Sequence, residues 1–582
     1  DMALGTPSES PAVVVKEIDL TGGVPNVQSS TGAFVGNFRW GPVNERVAIS
    51  EEAGLAETFG TPDNLNLRDI DFVSASQFLR YSNTLRVVRT TTSAAKNSVH
   101  AAGQTNALSL SAVTNNNKAN FDASISAFDS DRHTFIGRFP GALGNSIRVS
   151  VWDSSVLSSW TYAASFDAAP GTSTFATNKN ASRDEMHLVV VDQGGLLTGT
   201  VGTVLERYPF VSKASDAKNT DGSTNYVKDI VNERSQYIHF VDFDSDFAAA
   251  GAGTTADSGE NFARTKRAAT NYDLTLGVNS GDLGTTEYAT GFDLFEDKDN
   301  VEIDFLIAPG MQTRTNQTTV VNDLISTAQS TRKDCVVVAS PARADVVNIT
   351  SAATATTNIA ATAATFTQSS YLVMDGNYLK VFDKFNDQFI QVPAASSTAG
   401  IMAATDRNAA PWFSPAGGRR GQYLGITAID YTPTKTQRDT LYKAGVNPIA
   451  NIPGQGVILF GDKTKLARPS AFDRINVRRL FLVLERAISR AAESVLFEFN
   501  DEFTRAEFVN IVEPVLREVK GRRGITDFRV VCDETNNTAA VIDRNEFIAS
   551  IFIKPARSVN FVTLNFVAVR TGVDFEEVVG TV

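Results

Sequence analysis

Apolar residues Val477, Leu480, Phe481, Leu484, Ile488, Ala491, Ala492, Val495 and Phe499 recur at helical spacing, opposite Arg478, Arg479, Glu485, Arg486, Arg490 and Glu493. This predicts an amphipathic helix that must lay its apolar stripe on another element. A capping-box pattern, Thr504 with Glu507, then opens a second repeat of Phe508, Ile511, Val512, Val515, Leu516 and Val519, which Gly521 and Gly524 stop. A second helix is expected there, with a kink or restart near Glu513 because Pro514 removes a backbone donor. Three strand-like runs follow, at residues 525–532, 547–553 and 559–569, and the last is apolar on both faces. A strand of that kind has to be covered on both sides.

The two ends of the chain carry a further constraint. Residues 573–582 (VDFEEVVGTV) form a strand-like piece behind Thr571-Gly572, with Val573, Phe575, Val578 and Val579 as its apolar positions. Residues 11–20 (PAVVVKEIDL), with Val13, Val14, Val15 and Ile18, are cut off from the body by Gly22, Gly23 and Pro25. An isolated strand exposes unpaired backbone groups, so each piece needs a sheet to join. That sheet is either the chain's own or a neighbour's.

At 582 residues the chain is too long for one core and suggests three or four units. A hydrophobic content of 42% with 20% charged residues is globular, and no apolar run approaches the roughly 18 residues that cross a membrane. The net charge of −12 argues against general nucleic-acid binding, which calls for a basic face. Cys335 and Cys532 lie in apolar strand-like runs and are expected as buried free thiols in a reducing compartment. The start, Asp1-Met2, shows neither the basic segment nor the apolar stretch of a secretion signal.

Along the chain, GAFVGNFRWGPVNERVAIS (residues 32–50), an ETFG stop and a helix leading into Leu85, Val87 and Val88 describe an α/β unit. Gly32, Gly36 and Gly41 are read as structural, since no phosphate-loop lysine follows. From residue 93 the composition turns to Ser, Thr, Asn, Ala and Gly with short alternating runs, an inserted β-rich domain, and a helix is expected at residues 224–238. Strand, helix, strand over residues 301–339 predicts a parallel-sheet unit. Residues 350–367 read as a weak helix or a flexible excursion, and residues 371–392 as a hairpin about Asp375-Gly376.

No constellation for chemistry emerges from the residues. His100, His133, His187 and His239 are scattered, and there is no CxxC, HExxH, GxSxG or phosphate loop. Asp242, Asp244 and Asp246 resemble half a calcium loop without its glycine and terminal glutamate. Arg419 and Arg420 in a Gly-rich loop are either solvated or hold an acidic partner. No cofactor and no metal are expected.

DRINVRRLF (residues 473–481), VVCDETNNT (530–538), IFIKPARSVNFVTLNFVAVRTGVDFEE (551–577), DRNAAPWFSPAGGRRG (406–421) and LYKAGVNPIANIPGQGVILFGDKT (441–464) closely resemble the tail sheath proteins of contractile-tailed, myovirus-type bacteriophages. RFPGALGNSIRVSV (138–151) and the GxFxGxFRWGP entry resemble further elements of that family. The resemblance is weakest at residues 93–205 and 344–402. It implies a multidomain α/β (α+β) fold: a C-terminal core domain of two helices and a small β-sheet completed by terminal arms of neighbouring subunits, an α/β middle body and an inserted β-rich outer domain. The expected borders are an N-terminal arm at 1–21, body at 22–92, outer domain at 93–204, body again at 205–345, an outer β excursion at 346–405, the core domain at 406–572 and a C-terminal arm at 573–582.

The same resemblance implies a contractile sheath subunit of phage or tail-like bacteriocin, stacked as hexameric rings around a tail tube and driving it through the host envelope. Implied partners are further copies of the chain, the tail tube protein, baseplate proteins and tail-terminator or neck proteins, with no nucleic acid and no direct membrane insertion. The expected location is the virion tail, assembled in host cytoplasm. Arg478 and Arg479 on the polar face of the first helix, and Lys520, Arg522 and Arg523 beside the second, are candidate tube-facing or inter-subunit charges, a solvated helix end being the alternative for the latter three. An α/β enzyme and a static shell protein are the competing readings. The first needs saturable small-molecule binding near residues 301–339, and the second a single lattice.

Overall fold

A computed structural model describes residues 30–63, 67–101, 116–124, 133–244, 247, 251–264 and 269–560. The arms expected at residues 11–20 and 573–579 lie outside the described residues, as does most of the strand expected at 559–569.

Six strands, β1 (Gly32–Gly36), β2 (Arg46–Ile49), β3 (Leu85–Arg89), β4 (Phe305–Ile307), β5 (Val336–Ala339) and β6 (Leu372–Met374), form one sheet in the order β6-β5-β4-β1-β3-β2. All neighbours are parallel except β2 with β3. The central strands are apolar throughout because successive side chains enter two different cores. Phe34, Val87, Phe305, Ile307, Val336 and Val338 point to one core, and Ala33, Val35, Val88, Leu306, Val337 and Ala339 to the other.

Helices cover both faces. The first core is closed by α1 (Leu67–Leu79), through Phe72 and Phe78, and by the later helix Ala395–Asn408, through Ala399 and Met402. The second is closed by α2 (Thr285–Asp293), α3 (Arg314–Ser326) and α4 (Ala352–Thr365), with Phe292, Val321, Leu324 and Ile359 inward. The strand, helix, strand unit expected at residues 301–339 is thus β4, α3 and β5. Gly32 and Gly41 are structural, as expected. A Cβ on Gly32 would stand 2.8 Å from the Phe78 ring, and Gly41 has φ +94°.

The β-rich insertion is larger than its composition suggested. Its four-stranded antiparallel sheet orders Thr270–Asp273, Ile147–Trp152, Glu185–Asp192 and Thr203–Ser212, and a three-stranded sheet joins Asn97–Ala101, His133–Pro140 and Ile238–Phe240. One core holds Ile147, Leu188, Val211, Val231, Phe240 and Tyr272 together. The border expected between residues 204 and 205 therefore cuts a strand. The unit closes at Thr92 and Ser280, where the Thr92 N–H donates to Ser280 Oγ at 2.9 Å and the Gly281 N–H to Thr92 Oγ1 at 3.2 Å. Residues 205–212 misled because a strand shared with an insertion is as apolar as a strand of the body.

The stretch 346–405 is no outer excursion either. It supplies α4, β6 and α5 (Ala395–Asn408), all packed on the central sheet. The hairpin sits later than expected, pairing Tyr378–Asp383 with Gln388–Pro393. Residues 406–465 also belong to this body, since Tyr423, Ile449 and Leu459 enter its first core. The separate C-terminal unit begins with α6 (Ile475–Glu493), followed by α7 (Glu502–Gly521), β7 (Ile525–Val531) and β8 (Ser550–Pro555).

Candidate functional site at the C-terminal helices

Helix α6 is strongly amphipathic, and both of its faces are covered. The apolar stripe, Leu480 and Leu484 with Ile488 and Ala491, meets Phe508, Val512 and Leu516 of α7 and Ile525 of β7. The arginine face, expected in solvent, docks on the body. Arg479 makes a two-pronged ion pair with Asp406 at the end of α5, donates to Met402 O at 3.1 Å and lies over the Phe305 ring. Arg478 donates to Ser370 Oγ at 2.6 Å and stacks on Tyr371 and Phe472, and burial pushes its guanidinium down from the usual value. Arg478 and Arg479 are 7% and 4% exposed. The reading of these two as charges on an open polar face is corrected: long arginine stems bury while their forks find fixed acceptors.

Arg486 continues the same face. Its Nη1 meets Asp304 Oδ1 at 2.8 Å, and its Nη2 donates to the carbonyls of Ile303 and Asp334. Burial pushes the Asp304 carboxyl up against the opposing pull of Arg486. Asp304 Oδ2 also accepts the Thr31 N–H at 2.9 Å, at the first described residues of the chain. Below α6, Asp462 collects Arg474 Nη1 at 3.0 Å, Ser558 Oγ at 2.7 Å and Ser414 Oγ at 3.1 Å. With the Asn560 amide turned so that its oxygen faces donors, that oxygen accepts from Arg474 at 2.7 Å and from the Tyr442 hydroxyl at 3.1 Å.

Helix α7 starts one turn earlier than the capping box implied. Its cap is Asp501, whose carboxylate accepts the Thr504 N–H at 2.9 Å. It then passes Pro514 without interruption to Gly521, so the restart expected near Glu513 does not occur. Helix α6 stops at Glu493, before Val495 and Phe499. The connection and the first turn of α7 leave Leu496, Phe497, Phe499 and Phe503 at 62%, 105%, 81% and 78% exposure, an apolar knuckle of the kind that marks contact surfaces.

At the other end of α7 the basic cluster is exposed. Lys520 pairs with Asp527 at 3.2 Å, Arg522 lies over Trp412 and donates to Ala409 O, and Arg523 sits at φ 66° in the turn that ends the helix. Strands β7 and β8 pair with each other, and among the described residues no third strand joins either outer edge. Phe528, Val530, Ile551 and Ile553 lean on the helices, whereas Phe552 is 60% exposed. Two strands alone are marginal in water, and open edges are templates for pairing.

Asp304, Asp462 and Arg474 were missed by sequence reasoning. The available signal for the two aspartates was a carboxylate set into an apolar run, Asp304 in VEIDFLI and Asp462 in VILFGDKT. Among the described residues no group of His, Cys, Asp and Glu is placed to hold a metal ion, and Asp244 instead accepts the Tyr272 hydroxyl at 2.8 Å. Both cysteines are buried free thiols, as expected. No helix among the described residues is long and apolar enough to cross a membrane.

Comparison with known proteins places this geometry. The family model for the phage tail sheath protein central domain matches residues 281–465, and that for the phage tail sheath C-terminal domain matches residues 467–568. The starts of the two models coincide with the end of the insertion and with the approach to α6. The tail sheath protein of Enterobacteria phage T4 is 32% identical over 98% of this chain and 99% of its own length. That of Vibrio phage KVP40 is 30% identical over 98% of this chain and 99% of its own. Among solved structures, the sheath tail protein of Listeria innocua superposes with a TM-score of 0.54 at 12% identity, covering 91% of this chain and 93% of its own. That of Desulfitobacterium hafniense gives 0.51 at 12% identity, covering 94% and 100%. These two likenesses bear on the fold alone.

Proposed function

The chain belongs to the phage tail sheath family, and from that premise we propose how this subunit of a contractile tail sheath holds its lattice together and works. Subunits stack as hexameric rings around a tail tube. The arms at residues 11–20 and 573–579 leave their own subunit and add strands to the ribbon of β7 and β8 in neighbours. The observation that carries this reading is that ribbon: two strands, both outer edges open among the described residues, one apolar face already committed to α6 and α7.

Each added strand contributes backbone hydrogen bonds worth roughly 0.5 to 1.5 kcal/mol apiece, so a single arm binds weakly. Every subunit is held by several, and the effective concentration of each arm is fixed by its neighbours. Rigid α/β blocks linked this way re-pack between a long and a short lattice while the arms stay paired. The work comes from the difference between two packings and is done once, without turnover or cofactor. The tube protein lies inside, the baseplate and the terminator or neck proteins at the ends, and the insertion at residues 93–280 decorates the outside. The knuckle of Leu496, Phe497, Phe499 and Phe503 and the basic cluster of Lys520, Arg522 and Arg523 are the exposed contact surfaces of the inner unit. Assembly occurs in host cytoplasm, and the product is a virion tail.

The test is removal of residues 573–582. The truncated chain is expected to match the full chain in circular dichroism and to form no stable cylinders by electron microscopy. Full-length cylinders from the truncated chain would overturn the arm reading, and a single lattice under every condition would favour a static shell.

A further inference from the structure

Near each end of the described chain a residue is held by a buried aspartate, Thr31 by Asp304 and Ser558 by Asp462, and both aspartates are gripped by arginines of α6 and its cap. At the N-terminal root, Ser30 O accepts the hydroxyls of Ser82 and Thr84 at 3.0 and 2.9 Å, and the Thr31 N–H donates to Asp304, the partner of Arg486. At the C-terminal root, Ser558 donates to Asp462, and the Asn560 oxygen and Asp462 share Arg474, the cap residue of α6. Asp462 also accepts the Ile475 N–H through its own backbone carbonyl at 2.8 Å. Arg474 and Arg486 are therefore about 18 Å apart along one helix at roughly 1.5 Å per residue. Between them Arg479 pairs with Asp406 at the end of α5, which holds the helix in register with the body.

We propose that α6 is the load path between the two arms, a strut pinned at its start by Asp462, through Arg474, and about two turns before its end by Asp304, through Arg486. Charge-assisted hydrogen bonds are the short, directional contacts suited to this, and a packed helix transmits displacement without bending. A pull on the chain beyond Asn560 passes through Ser558 and Asp462 to Arg474, along α6 to Arg486, and through Asp304 to the backbone at Thr31. Strain arriving at one arm of a subunit is thereby delivered to the other, and through it to the next subunit. The proposal rests on the arm reading above. Asp304 and Asp462 act in it as positioning residues.

The experiment uses the full chain with Asp462→Asn, Asp304→Asn and the double variant, beside the truncation at residue 572. Each single variant is expected to raise the subunit concentration needed for cylinders about tenfold, the loss of one charge-assisted contact. Because the pins act in series, the double variant is expected to add nothing further, whereas independent anchors would multiply to about a hundredfold. In intact cylinders, hydrogen exchange at the Thr31 amide is expected to quicken in Asp462→Asn, although the substitution lies at the other root. Arg474→Lys, which keeps the charge but loses the fork shared by Asp462, Asn560 and Tyr442, repeats the test should an Asn variant misfold. Multiplicative effects, or Thr31 exchange unchanged in Asp462→Asn, would overturn the strut while leaving the arms intact. Normal cylinders from the truncated chain would overturn the arms, and the strut with them.

Discussion

Asp406 has no water to turn to, and neither has Arg479, so this pair states the residue-scale rule of the molecule. Asp406→Ala takes the carboxylate away from a buried guanidinium, and a cost on the order of 3 to 5 kcal/mol is expected in urea unfolding of the dispersed subunit. A loss under about 1 kcal/mol would place the pair in solvent. Two other carboxyls contribute to the pH response. Asp71, which accepts from the Asn37 N–H and the Tyr288 hydroxyl, and Asp375, which accepts from Ser340 and Thr398, are each pushed up to about 7 by burial. Unfolded, they titrate near about 4. Between those values these two carboxyls keep protons in the folded chain that they have released in the unfolded one, so their contribution to stability falls as pH rises from about 4 to about 7 and is level beyond. Asp71→Asn with Asp375→Asn is expected to flatten the difference in urea midpoint between pH 5 and pH 8. An unchanged difference would assign the response to other groups.

At the scale of the element, α7 carries Pro514 in its middle on an exposed face and yet runs on to Gly521. The packed stripe of Phe508, Val512, Leu516 and Val519 outweighs the lost hydrogen bond. Pro514→Ala is expected to stabilise the chain by on the order of 1 to 3 kcal/mol, read as a raised urea midpoint. A lowered midpoint would show that Pro514 contributes more to the folded chain than the hydrogen bond it removes. Periodicity made α6, α7, β4, α3 and β5 legible in the sequence, because spacing reports which face of an element is apolar. It could not report that the arginine face of α6 is buried too, since solvent and a carboxylate are equally good reasons for a charge. The start of α7 was misplaced for a related reason. Thr504 fits the capping pattern, but Asp501 competes for the same role, and only the backbone shows which wins.

For the whole molecule, the legible part was the alternation of body and insertion, and the illegible part was where the insertion closes. Composition changes at residue 93 but gives no mark at residue 280: Thr203–Ser212 (TVLERYPFVS) reads like a strand of the body, and Thr270–Asp273 (TNYD) is too short and polar to be read as a strand at all. Thr92 and Gly281 are hydrogen-bonded neighbours, so excising residues 94–279 with a short linker is expected to leave the central sheet folded. The excision forfeits the contact of Trp40 with Phe139 and the bond from Arg89 to Pro140 O, so a lowered melting temperature is expected with one cooperative transition. Excision at 93–204 cuts a sheet and is expected to yield insoluble chain. Equal behaviour of the two deletions would refute the corrected border. The central claim, that separate subunits are joined through strands added to the ribbon of β7 and β8, is tested most directly by cryo-electron microscopy of cylinders assembled from the full chain. The predicted result is density for residues 573–579 hydrogen-bonded along an outer edge of that ribbon in a different copy. Density for the same residues folded back on the ribbon of their own subunit would contradict it.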